Sequence, residues 1–463
     1  MGTANTNGND SRLSFWLRVR EFAVPPSMIE TATARRRAGD WAGACAAAGF
    51  DVDIDLRAPA HTYGRDVAGR IEDDLRFLAP DLLRWHLPRV APDGLLRPGL
   101  TIALARYGIP PDSRTGCGPL GSVSLVVRTA PAWADAGQRV ALALWDGSRC
   151  GPHPHPHPRP DRRFRLDLHR HLWDARRAGE LRMRCGASGT YPDGGVDPAL
   201  SEMVPVGCAV GRWVAEAGIV LRAEGRRTGP LRVRFGARRE VLVEPGPDGD
   251  GRPVLRLAEA YPRGAVPALP VLPDAATWVL PDLELLRAGA LTPDRLHPLV
   301  AAALAPDHPR PDAPRIGDRP AGPYVVECRG EQHRIGLADG VLTALDHDPA
   351  EIRREELLVA LTGVPLPCLR AIDRAHRHPD SLAGVRERLD HGDIAGALAV
   401  VEGLLGPEAV LREGALLDAL EESARRQTAY EMFRAGSACS GPTRDPSARR
   451  RDRRAHPRHA TLR

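Results

Sequence analysis

Lysine is absent from all 463 residues, and arginine alone supplies the 64 basic side chains. A P-loop needs an ammonium on the β- and γ-phosphates, a protein kinase needs its strand lysine, and Schiff-base enzymes need an amine of tunable pKa. Guanidinium stays protonated and is no nucleophile, so it replaces lysine in none of these roles. Asparagine stops at Asn9, after Asn5 and Asn7, which also removes the metal-binding asparagine of a kinase catalytic loop. ATPase, kinase and pyridoxal chemistry are therefore not expected. An Ala-, Arg-, Gly- and Pro-rich chain with no lysine and no asparagine after Asn9 is the expected product of a GC-rich bacterial gene. Arginine is then partly a codon choice, and an Arg-rich segment is weaker evidence of phosphate recognition than usual.

Cysteine is dispersed rather than clustered. The eight cysteines lie at 45, 117, 150, 185, 208, 328, 368 and 439, so no C-x-x-C zinc or redox spacing exists. Such residues read as small buried hydrophobes of a reduced, cytoplasmic protein. Aromatics make up only 5%, which leaves Leu, Val and Ala to build the cores. The chain has neither an apolar leader core nor a run of about 18 uncharged apolar residues, so no membrane span is expected. The formal charge of +5 is local: residues 444–463 hold eight arginines against Asp445 and Asp452, and residues 1–443 carry −1.

The order of elements predicts an α+β, multi-domain chain whose N- and C-terminal helical segments flank a central β-rich, sandwich- or barrel-like region. A disordered tail is expected at 1–12, and a mainly helical segment at 13–98. There Ser27 and Glu30 form a capping box, and a helix ends at Gly39. Asp40 caps a second helix, closed by Gly49. The same device returns where Asp380 or Ser381 caps a helix, Gly392 ends it and Asp393 caps the next. Gly39-Asp40-Trp41-Ala42-Gly43-Ala44 and Gly392-Asp393-Ile394-Ala395-Gly396-Ala397 match at five of six positions. The pattern resembles the helix-turn-helix of tetratricopeptide-type repeats over about 20 residues in each place. The copies lie 353 positions apart, so two separate helical hairpins are expected and not a contiguous array.

Strand-like runs within 99–261 include Arg163 to His171, Val214 to Ala223, and Glu240 to Glu244 ahead of a hairpin turn at Gly246–Gly251. Residues 262–323 carry 13 prolines and read as a stiff connector with short helices at Pro281–Arg287 and Pro293–Ala303. A β-hairpin with a helical domain is expected at 324–436, and a disordered Arg-rich tail at 437–463.

Three constellations could carry chemistry. On a strand, Asp167, His169 and His171 would share one face, the inventory of a non-haem iron or zinc site with a divalent metal as cofactor. Asp51, Asp53 and Asp55 would likewise share a face, as Mg²⁺ ligands or as the charged side of a protected edge strand. Alternating prolines fan His153, His155 and His157 around an extended axis, so these three do not converge. Gly116-Cys117-Gly118-Pro119-Leu120-Gly121 matches G-x-G-x-x-G by letter only, because it precedes a strand. The leading expectation is a non-catalytic cytoplasmic interaction or scaffold protein with protein partners. A metal-dependent hydrolase or oxygenase using Asp167, His169 and His171 is the alternative. A nucleic-acid-associated protein acting through the Arg-rich tail is the second alternative.

Overall fold

In the computed structural model, the hydrophobic run around Phe15 already lies inside a helix: α1 covers Thr6–Arg18 and passes into a π-helical turn at Val19–Ala23. Of the disordered tail expected at 1–12, the residues from Thr6 onward are helical. Phe15 and Val19 are buried, and Arg12 is tied down by Glu284 at 2.9 Å. The structure describes residues 6–109, 121–135, 138–147, 155–187, 195–236, 239–247, 253–258, 261–262, 264–308, 324–328, 331–338, 341–344, 348, 350, 353–354, 379–405 and 415–436. It is a mixed α+β protein that divides into two units, Met1–His308 with Thr428–Arg463, and Pro309–Gln427.

In the first unit, α2 (Pro26–Arg37) starts without the expected Ser27–Glu30 capping box. Pro25 occupies the cap position with no side-chain bond, and Pro26 opens the helix, where its missing N–H costs nothing. Gly39, at φ +80°, ends α2, and Asp40 caps α3 (Trp41–Ala47). The chain continues as β1 (Phe50–Val52), α4 (Arg57–Tyr63), α5 (Arg65–Arg76) and α6 (Pro80–His86), then a small antiparallel pair, β2 (Arg89–Val90) and β3 (Leu95–Leu96). β4 (Thr101–Gly108), β5 (Ser122–Thr129) and β6 (Val140–Trp145) form an antiparallel meander, and β1 joins β6 in parallel as an edge. Ile71, Leu75, Leu82 and Leu83 from the helices and Ile102, Leu104, Leu125 and Val127 from the sheet close the main core.

The single sandwich or barrel expected at 99–261 does not form. Arg163 to His171 folds as successive 3-10 turns, Leu166–Leu168 and Arg170–Leu172, and not as a strand. Trp173 fixes that bend, donating its indole N–H to the Leu166 carbonyl at 3.0 Å while Leu166, Leu172 and Trp173 are all buried. After α7 (Leu181–Arg184), β7 (Gly195–Val196) and α8 (Pro198–Met203), the run at Val214 to Ala223 is α9 (Trp213–Ala223), a helix and not a strand. Its buried residues Trp213, Ala217, Val220 and Leu221 have the i, i+4, i+7, i+8 spacing of one helical face. They cover a second four-stranded sheet, ordered β7-β10-β9-β8, built from β8 (Leu231–Arg234), β9 (Glu240–Pro247) and β10 (Pro253–Leu257). The expected hairpin turn falls between antiparallel β9 and β10, with residues 248–252 outside the described residues.

The proline-rich stretch packs, at least up to Leu304, instead of acting as a stiff connector. Ala276 of α10 (Asp274–Thr277) joins the core of the second sheet, while α11 (Pro281–Arg287) and α12 (Pro298–Leu304) send Leu283, Leu285 and Val300 into the main core, with Leu291 and Leu296 between them. Its prolines start helices: Pro281 and Pro298 stand in the first turns of α11 and α12. Among the described residues, no helix is long and apolar enough to cross a membrane.

In the second unit the expected β-hairpin is a three-stranded antiparallel meander, Tyr324–Cys328, Glu331–Ala338 and Val341–Ala344. Helices Pro379–Asp390 and Ile394–Leu405 follow as the second hairpin, closed by Val385, Leu389, Ala397 and Val401. Asp380 and Ser381 thus lie inside a helix rather than before it. The Arg-rich tail at 437–463, Gly116 to Leu120 and His153 lie outside the described residues.

The two hairpin turns agree atom for atom. Asp40 Oδ1 accepts from the Gly43 amide at 2.8 Å and Oδ2 from Arg35 at 2.8 Å. Asp393 Oδ1 accepts from Gly396 at 3.0 Å and Oδ2 from Arg388 at 2.8 Å. The second glycine of each motif is explained too, since a Cβ at Gly43 or Gly396 would collide with the capping carboxylate. Asp40→Ala or Asp393→Ala is expected to cost about 0.5–2 kcal/mol in urea unfolding. Gly39→Val and Gly392→Val should cost more, because a β-branched residue resists positive φ. Neutral results at both turns would reduce the repeat to an accident of Ala- and Gly-rich composition.

Candidate functional site

The expected metal ligands are separated by their hydrogen bonds. Asp167 turns to Arg165, which grips both carboxylate oxygens at 2.8 Å. His169 is fully buried, with Nδ1 3.0 Å from the Arg165 carbonyl and Nε2 3.1 Å from Glu216. His171 is buried with its ring 5.7 Å from that of His169, and neither of its nitrogens has a hydrogen-bond partner among the described residues. The strand that would have aligned the three is absent, and with it the shared face. No group of three or more His, Cys, Asp or Glu side chains that could hold a metal ion occurs among the described residues.

Glu216 is the centre of this layer, and sequence reading missed it. It sits on α9 inside an apparent apolar run, accepts twice from Arg184 at 2.9 Å, and faces His169. Burial pushes its carboxyl up, but the His169 and Arg184 contacts outweigh that and hold it down at about 2. The other acidic run is likewise paired. Asp51 accepts from Arg139 at 3.1 Å and from Tyr430, Asp53 from Arg434 at 2.6 Å, and Asp55 caps the Arg57 amide at 3.0 Å. Guanidiniums and a phenol stand where Mg²⁺ was one expectation, on the edge strand β1 and the residues after it. His155 is buried against the Thr129 carbonyl at 3.0 Å, apart from any ligand set.

What the first unit does assemble is a cavity of about 140 Å³. Six short segments converge on it, carrying Arg12 and Trp16 on α1, Trp85 to Arg89 at the end of α6 and just past it, Arg97, Arg163 to Leu166, Leu172, and Asp274, Ala275 and Trp278 to Pro281. Trp16 and Trp85 meet at 5.6 Å between ring centroids, and Trp85 donates to Asp282 at 2.7 Å. Arg12 lies over Trp278 at 5.4 Å, and Arg97 over Phe164 at 5.7 Å. Arg163 is paired with Asp274, and Arg165 also reaches Glu224 at 2.8 Å. Burial raises the Asp274 carboxyl against the pull of Arg163. It also pushes His86 down to about 4, although Asp282 stands 3.9 Å away, so the imidazole is neutral at pH 7.

Arg89 differs from its neighbours. It is 4% exposed, donates to the Gly94 and Arg84 carbonyls at 2.8 and 2.7 Å, and has no hydrogen-bond partner at Nε among the described residues. A guanidinium always carries its charge, and a buried charge held only by neutral dipoles costs several kcal/mol. Trp278 Nε1 and His86 Nε2, on the same cavity wall, also have no hydrogen-bond partner among the described residues. The arrangement can receive a small molecule that supplies acceptors and negative charge against flat aromatic faces. Compared with family models, curated proteins and solved structures, the chain matches none.

Proposed function

We propose that this chain acts by binding and not by catalysis, its first unit holding a small molecule in the Arg- and Trp-lined cavity. The observation that carries this reading is the buried Arg89 guanidinium, which faces carbonyls and no carboxylate beside a cavity of about 140 Å³. The carboxylates near the cavity are engaged, Asp274 with Arg163 and Glu284 with Arg12, which supports binding over turnover. A cytoplasmic location remains part of this reading. Ligand-observed NMR with a set of single-ring fragments of mixed charge tests it. Fragments that bind the native chain and are lost from Ala275→Phe, which fills the cavity, are the expected result. Hits untouched by that substitution would overturn the site.

A second reading, action through protein contacts, is favoured by the hairpin turn built twice to one hydrogen-bond pattern. In the second copy Ile394 and Leu398, one turn apart, are 44% and 42% exposed. Comparing proteins co-purified with the full chain and with Gly392→Val from the cell that makes it tests this reading. A partner specific to the native hairpin supports it, and identical sets oppose it. The metal-dependent alternative draws no support from the positions of Asp167, His169 and His171. Nucleic-acid contact through the Arg-rich tail concerns residues outside those described.

A further inference from the structure

The cavity's charge balance and shape narrow its ligand. Of the arginines on its wall, Arg12 faces Glu284, Arg163 faces Asp274, Arg165 faces Asp167 and Glu224, and Arg97 stands in the field of Asp161 and Asp274. Arg89 has no carboxylate within ion-pair distance among the described residues, and its two hydrogen bonds end on carbonyls. One guanidinium charge of this kind calls for one negative charge, not two. The donors without partners beside it are few: Arg89 Nε, the Trp278 indole N–H and one nitrogen of the neutral His86. Two carboxylate oxygens would occupy two of them, and guanidinium matches carboxylate geometry closely.

The rest of the wall is flat and apolar. Trp16, Trp85, Phe164 and Trp278 contribute ring surface, and Leu172 and Leu280 add aliphatic lining. The volume of about 140 Å³ is close to the roughly 150 Å³ of a buried cavity that admits one benzene. A single ring therefore fits that space.

We propose that the cavity takes a monoanionic carboxylate borne on one planar ring, with Arg89 as its charge partner and the tryptophans as its faces. This assignment rests on the binding reading above and goes further, because it fixes both charge and size.

Titration calorimetry on the full chain, with benzoate as the probe, tests it. Benzamide has the same shape without the charge, acetate has the charge without the ring, and inorganic phosphate is a competing anion. Benzoate should bind saturably at one site, with benzamide and acetate each at least about tenfold weaker, a difference of about 1.4 kcal/mol. Arg89→Met should abolish benzoate binding with the circular dichroism unchanged. Because Arg89 also ties the β2–β3 turn, Ala275→Phe serves as the second variant, and it should abolish binding without removing the guanidinium. Benzamide binding as tightly as benzoate, and lost in Ala275→Phe, would overturn the charge assignment while leaving the cavity as a binding site. Phosphate displacing benzoate at equal concentration would overturn the carboxylate. Benzoate binding that persists in Ala275→Phe, or no benzoate binding at all, would overturn the proposal, and persistence would remove the cavity reading with it.

Discussion

Replacing Glu216 with alanine is expected to lower the unfolding free energy by about 3–5 kcal/mol, the range for breaking a buried ion pair from one side. Glu216 is 3% exposed, and its two oxygens take two bonds from Arg184 and face His169. Both neighbours of the His169 ring are acceptors, the Arg165 carbonyl and Glu216, so both bonds form only when the ring carries two protons. Alanine would leave that imidazole and the Arg184 guanidinium facing empty space in the interior. Urea unfolding with its slope checked for two-state behaviour measures the loss. A loss below about 1 kcal/mol would mean that water reaches this layer and that Glu216 is no brace. Glu216→Gln should recover only part of the stability, because an amide can still accept from Arg184 but brings no charge.

The second large effect is acid sensitivity. Burial holds the folded-state pKa of His86 down at about 4, from 6.5, and that of His171 well below 6.5. The unfolded chain therefore binds these protons first, and stability present above pH 6.5 is lost as the pH falls toward 4. His86 alone should account for about 3 kcal/mol across that window, at 1.36 kcal/mol per pKa unit. Glu216, lowered from 4.5 to about 2, then continues the decline: its contribution is full above pH 4.5 and disappears as the pH falls through 2. Urea midpoints measured at intervals from pH 7 to 3 should fall throughout. His86→Phe should flatten that curve from pH 6.5 down to about 4 and leave its acid end, well below the His86 pKa, nearly unchanged. An unaltered slope between 6.5 and 4 in that variant would show that water, and not protein, surrounds the ring.

Local chemistry explains which parts of this fold were legible in the sequence. The turns at Gly39-Asp40 and Gly392-Asp393 were readable because a glycine at positive φ and a capping aspartate act within six residues. Helix α11 was readable because Pro281 marks its first turn. Arg163 to His171 was not, although Phe164, Leu166 and Leu168 alternate with polar residues. Its path is decided by Trp173, which binds the Leu166 carbonyl from outside the pattern. Val214 to Ala223 failed for the opposite reason, since residues apolar on nearly all sides carry no period to separate helix from strand. The arginine five positions before each capping aspartate was visible in both copies, and it was overlooked because the comparison began at the glycine. The cavity could not be read at all. Its walls come from positions as distant as Arg12 and Trp278, and nothing in either neighbourhood announces the other. Asp167, His169 and His171 show the converse: neighbours in sequence that three-dimensional hydrogen bonding assigns to different partners.

The docking of Tyr430, Phe433 and Arg434 onto the first unit has a topological consequence. Tyr430 and Phe433 are buried with Ala130 and Ala134, Phe433 meets Trp133 edge-on at 5.4 Å, and Arg434 holds Asp53. Because the first unit comprises Met1–His308 and Thr428–Arg463, the second is an insertion: the chain leaves a body and rejoins it. One peptide bond cut between 309 and 323 therefore does not set the second unit free, because the fragment carrying it still ends in a docked anchor. Separation requires two events, a cut and the release of three side chains. Trypsin nicking in that interval should leave the pieces co-eluting on gel filtration, and Tyr430→Ala, Phe433→Ala and Arg434→Ala together should weaken that association.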